Sequence, residues 1–227
     1  MDMPVAIGSS GLALVLAVAL VLTATGAHAS ADETTPWPTP PRSVAPGPED
    51  WSRLQSGEII VTDTRLDEQG GSALALAVYH VDRETLWRTI GDCNANTRFV
   101  RGLKFCEVVS ESPTRAMTRQ QLKAYQLLPT LDYTFETVRE PFEWIRIRLI
   151  EGELEALEGS WRFQPLPDGD GVLVAHQVRV HPKLPVPRWL ARRTVHRDLA
   201  NLMACLRWEV KGWSDPRQRG KDREACP

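Results

Sequence analysis

His176 is the side chain in this sequence best placed to do chemistry. It falls in the run 172–180, where Val172, Val174, Val178 and Val180 share its parity, so in a strand it points to the same inward face as they do. An imidazole there can bind a ligand oxygen or carry a proton, because its ordinary pKa lies close to neutrality. His176 is therefore the candidate catalytic base. The commoner role for such a residue is a core histidine bonded to a neighbouring backbone or tyrosine group. Tyr133 raises the same question, since it lies on the apolar parity of its run with Leu131 and Phe135 and its hydroxyl needs a partner if buried.

Other chemistries leave no trace. There is no G-x-S-x-G elbow, no H-E-x-x-H, no phosphate-cradling glycine loop and no dinucleotide fingerprint. Glu151, Glu153, Glu155 and Glu158 form an acidic stretch around Gly152 and Gly159. Carboxylates act as acid and base only where burial separates their pKa values, and a solvated strand end is the expected home for these. The chain has four cysteines. Cys93 and Cys106 bracket a short segment, and closing a loop of that size contributes roughly 3 kcal/mol in the chain-entropy model, so they are the expected disulfide. Pairing of Cys205 with Cys226 stays open. With no C-x-x-C and no nearby histidine pair, no metal and no cofactor are expected.

These residues must be positioned by strands and one long helix. In 185–210, Val195, Leu199, Leu202, Met203 and Leu206 recur at helical spacing and form one apolar stripe. Pro185 and Pro187 mark its start and Gly212 its end. Arg188, Arg192, Arg193 and Arg197 occupy the other face. With Trp189 beside them, Arg188 and Arg192 are candidate contacts to an anionic membrane surface, although a charged helix face is usually just the solvated one. Asp82 reads as the N-cap of a short helix that buries Leu86, Trp87 and Ile90. Strands are expected at 58–63, 72–81, 103–111, 115–128, 131–139, 144–151, 161–164 and 172–180, joined by short turns and hence antiparallel. The run 72–81 is apolar on both parities, which predicts a strand covered on both faces.

The apolar run 12–22, followed by Ala27-His28-Ala29, reads as a signal peptide over 1–29, with a retained membrane anchor as the alternative. Residues 30–48 read as a Pro-rich linker, 49–210 as one folded domain, and 211–227 as a charged, disordered tail. The formal charge of −2 gives no reason to expect a nucleic-acid partner. Oligomeric state is not encoded in any pattern of this sequence.

A sheet with one dry face and a helix with one dry stripe must meet. The expected class is α+β, a curved antiparallel sheet of about six to seven strands wrapped on the long C-terminal helix. In this order of elements the chain resembles the START-like helix-grip superfamily, and within it the polyketide cyclase/dehydrase and coenzyme Q-binding branch. The residues that carry the resemblance are Val81-Asp82, Leu86-Trp87, Asp92-Cys93, the run 98–103, 127–129, 159–163 and 187–190. It spans about 51–207. The resemblance implies a cavity between sheet and helix for a lipid, fatty acid, isoprenoid or polyketide-like molecule. Tyr133, Phe135, Ile147, Trp161, Phe163, His176, Val178, Val195, Leu199, Leu202 and Leu206 are the expected lining. An exported binding protein is the leading expectation. A cyclase or hydrolase using His176, or an interaction module whose cavity its own side chains fill, are the alternatives.

Overall fold

A computed structural model of the protein describes residues 43–67, 70–123, 129–183 and 188–227. The expected signal segment, most of the expected linker and the residues 124–128 and 184–187 lie outside the described residues.

Helix α1 (Pro48–Gln55) leads into a hairpin of β1 (Ile60–Asp67) and β2 (Gly70–Tyr79). Two short helices, α2 (Arg83–Gly91) and α3 (Cys93–Phe99), carry the chain away. Asp82 caps α2 as its sequence position predicts, accepting from the Thr85 amide at 2.7 Å, and Asp92 caps α3 through the Asn94 amide at 2.8 Å. A meander then returns: β3 (Leu103–Glu111), β4 (Arg115–Leu122), β5 (Leu131–Glu140), β6 (Trp144–Gly152), β7 (Leu154–Pro165) and β8 (Val172–Pro182). The last two helices are α4 (Arg188–Glu209) and α5 (Pro216–Glu224).

All eight strands join one antiparallel sheet in the order β1-β2-β8-β7-β6-β5-β4-β3. Each of the eight runs expected as a strand contributes one, and because the β1–β2 hairpin joins the same sheet at β8 the sheet has eight strands where about six to seven were expected. Strand β7 also starts earlier than expected. It runs through the acidic stretch, with Leu154 buried and Glu155 and Glu158 exposed, since its partner β8 is long enough to pair that far.

Strand β2 is covered on both faces, as its double apolar parity predicts. On one face Ala73, Ala75, Ala77 and Tyr79 meet Leu199, Met203 and Leu206 of α4. The alanines leave room for the helix to lie close. The Tyr79 hydroxyl donates to the Met203 carbonyl at 2.8 Å, tying sheet to helix inside the core. On the other face Leu76 and Val78 pack with Leu54, Leu166, Leu173 and Ala175, against Trp51 and Trp213.

The C-terminal tail corrects its expectation. Instead of being disordered, 216–224 forms α5, capped by Asp215, and Cys205–Cys226 is a second disulfide beside Cys93–Cys106. High charge suggested disorder, but one of those charges is a buried partner. Arg207 Nε and Nη2 donate to both carboxylate oxygens of Asp222 at 2.7 Å, and Nη2 donates to the Gly57 carbonyl at 3.0 Å. Both side chains are almost wholly buried. Removing one partner strands a charge in the core, so Asp222→Ala should lose about 3–5 kcal/mol of stability in urea denaturation. A loss under about 1 kcal/mol would show that the pair does not hold α5.

Candidate functional site

The concave face of the sheet is built from alternate residues of neighbouring strands, in register across β8, β7, β6, β5 and β4. His176 pairs with Trp161, which pairs with Ile145. Val178 pairs with Gly159, which pairs with Ile147, and Ile147 pairs with Thr137. Further across, Leu149 pairs with Phe135 and Phe135 with Thr118, while Tyr133 pairs with Gln120.

The expected lining residues divide into two groups. Trp161, Phe163, Leu199 and Leu206 share the core cluster under α4, with Ile147, Val178, Val195 and Leu202 packed on it. Tyr133 and Phe135 belong to a different cluster with Leu154, bordered by Leu122, Leu131, Ile147, Leu149, Leu157 and Val180. Ile147 touches both. Every residue of the second cluster comes from a strand, and among the described residues α4 packs on β1 and β2 rather than over it. Arg188, Trp189 and Arg192 are in the first turns of α4, and their side chains lie outside the described residues.

His176 is buried and stacked on the Trp161 indole, ring centroids 3.7 Å apart at 10°. Its Nδ1 lies 3.0 Å from the Ser160 carbonyl. A carbonyl can only accept, so Nδ1 carries the proton and Nε2 is the bare nitrogen of the neutral ring. Burial lowers its pKa to about 4, outweighing the hydrogen bond to Ser160. At neutral pH it is an uncharged, weak base, a poor match to general-base work. Its one N–H is matched by the Ser160 carbonyl, and the Nε2 lone pair is left as an acceptor.

Tyr133 finds its partner in a residue that periodicity did not single out. Its hydroxyl donates to Gln120 Oε1 at 3.0 Å, and burial raises its pKa. Gln120 Nε2 points to Cys106 Sγ at 3.6 Å, within the Cys93–Cys106 disulfide that ties α3 to β3. In β4, Ala116, Thr118, Gln120 and Leu122 share one parity, and Ala116, Thr118 and Gln120 are buried. The two polar residues in the middle make that face read as wet. The signal that could have found it is the pair of apolar residues at either end. Gly152 shapes the same place: at φ 126° it abuts Tyr133, and a Cβ there would stand 2.4 Å from the Asp132 carbonyl.

Residues 80–207 match the family described as polyketide cyclase / dehydrase and lipid transport. The chain belongs to that family. Its fold is the START-like helix grip, seen in solved structures of low identity. A STAR-related lipid transfer protein from Xanthomonas axonopodis is 17% identical, with TM-score 0.59, covering 67% of this chain and 93% of that one. Human STARD10 is 11% identical, with TM-score 0.56 and coverage of 78% and 84%. The Zhui aromatase/cyclase from Streptomyces sp. R1128 is 12% identical, with TM-score 0.51 and coverage of 68% and 94%. No curated protein matches the sequence.

The imidazole yields a pH test. It titrates near 6.5 when exposed and near 4 in the fold, so between those values the unfolded chain holds the extra proton. Its contribution is complete above about pH 6.5 and is lost progressively toward pH 4, by up to roughly 3 kcal/mol. His176→Phe, which keeps the stack on Trp161, should flatten the fall in Tm over that window. Parallel Tm curves for the two proteins would mean that His176 is not held neutral by burial.

Proposed function

We propose that this domain binds a hydrophobic molecule, such as a lipid, fatty acid, isoprenoid or polyketide-like compound, between the outer half of the concave sheet and α4. The observation that carries this reading is the strand-only cluster around Tyr133 and Phe135. Leu122, Leu131, Leu149, Leu157 and Val180 are only half-buried there, on the inner face of a sheet whose other half is sealed by helix packing. Apolar surface of this kind gains about 25 cal/mol for each Å² removed from water, which a bound apolar molecule would supply. A family whose description includes lipid transport, and a structural neighbour titled a lipid transfer protein, support the same reading. The weak basicity of His176 favours carriage over catalysis.

The two disulfides are consistent with an oxidising compartment. With the apolar run 12–22 they support export after removal of 1–29, to a periplasmic or extracellular location.

Native mass spectrometry of freshly purified full chain should show a co-purifying apolar mass that is lost on denaturation. Leu149→Trp, which adds bulk beside Phe135, should lower occupancy and Nile red binding while Tm holds or rises. If several preparations give only the bare protein mass and Nile red does not bind, the domain is not a carrier.

A further inference from the structure

Resting on the binding reading, we infer that Gln120 and Tyr133 form a docking point for a single hydroxyl group, so that the ligand is a neutral alcohol rather than an ionised amphiphile. The two residues face each other across β4 and β5 on the concave side, next to Phe135 and beneath the disulfide at Cys106. Gln120 is 9% exposed and Tyr133 6%, in surroundings otherwise dominated by Leu122, Leu131, Leu149 and Leu154.

Their hydrogen bonds leave capacity unused. Tyr133 spends its one proton on Gln120 Oε1, which leaves the lone pairs of its phenolic oxygen available. Gln120 Nε2 has two hydrogens, and its acceptor among the described residues is a disulfide sulfur at 3.6 Å, a weak one. An acceptor and a donor therefore stand side by side in an apolar setting. A hydroxyl is the group that answers both, taking a hydrogen bond from Nε2 and giving its own proton to the phenolic oxygen. A carbonyl answers only the amide.

The charges on the neighbouring rungs of β4 and β5 are turned away from this point. Arg119 and Asp132, on the neighbouring rungs, pair with each other at 2.7–3.0 Å, and Gln121 joins the same carboxylate at 2.9 Å. By strand alternation these three project to the opposite face of the sheet. Lys183, the cation beside this cluster, is exposed and donates to the Gly152 carbonyl at 2.7 Å, so a carboxylate or phosphate held between Gln120 and Tyr133 would meet two neutral dipoles, and burying a charge against these alone is costly. An alcohol pays no such penalty.

The test measures displacement of Nile red from the full chain by dodecanol, dodecane and dodecanoate. Wild type should bind dodecanol more tightly than dodecanoate. Tyr133→Phe and Gln120→Leu should each weaken dodecanol about fivefold, the worth of one hydrogen bond of about 1 kcal/mol, and leave dodecane unchanged or tighter. Tyr133→Phe is nearly isosteric, so it remains informative if Gln120→Leu unfolds. Unaltered dodecanol binding by a folded variant, or a wild-type preference for dodecanoate, would overturn the hydroxyl site while leaving the carrier reading intact. If neither Nile red nor any of the three binds, the carrier reading itself falls, and the hydroxyl site with it.

Discussion

Ala73, Ala75 and Ala77 present so little side chain that α4 can lie close against β2, and that contact determines where every other surface is buried. A helix has one apolar stripe, and here Leu199, Met203 and Leu206 are spent on the alanine track and on Trp161 and Phe163 behind it. Among the described residues the helix therefore closes one half of the concave sheet, and the other is lined by strands. Tyr79 fixes this placement chemically as well as sterically. Its buried hydroxyl needs an acceptor, and the Met203 carbonyl supplies it only when the helix sits at this height.

Holding α4 there draws in the segments around it. Arg207 reaches from α4 past the end of β2 to the Gly57 carbonyl and to Asp222, so α1's exit turn, the helix and the C-terminal α5 meet at one guanidinium. A buried pair of this kind gains little over an apolar substitute, yet it demands both partners, which makes docking of α5 all-or-none. Cys205–Cys226 closes the same junction covalently. Cys93–Cys106 fastens α3 to the edge strand β3.

Much of this was legible in the sequence because the relevant signals are local. Asp82 as a cap, the alternation in 131–139 and 144–151, and the stripe from Val195 to Leu206 each depend on residues within one or two turns of each other. The inward direction of His176 followed from strand parity alone, whereas its stacking on Trp161 depends on register between β7 and β8, which no local pattern encodes. The tail failed for a related reason. Asp222 looks like one more solvated charge until Arg207, fifteen positions away, is known to face it. Gln120 was hidden by its chemistry: a polar residue on a buried face imitates the wet side of a strand, and only its neighbour Tyr133 across the sheet reveals the inversion.

That inversion separates two kinds of polar burial in this domain. At Arg207 the charges are fully matched, each carboxylate oxygen and two guanidinium nitrogens having named partners, and the consequence is rigidity. At His176 the one N–H is matched and one ring face is stacked, leaving only the Nε2 lone pair unused. Gln120 and Tyr133 differ, because their mutual bond satisfies only part of what each can do. Unused hydrogen-bonding capacity inside a folded protein is a standing cost, and it is tolerated where something else supplies the missing partner. Two neutral dipoles are also the cheapest polar groups to keep waiting in an apolar setting, since neither requires a counter-charge when the site is empty. The same economy explains why Arg119 and Asp132 stay paired on the outer face: turned inward, either would need the other, and the concave surface would close on an ion pair instead of on an apolar guest.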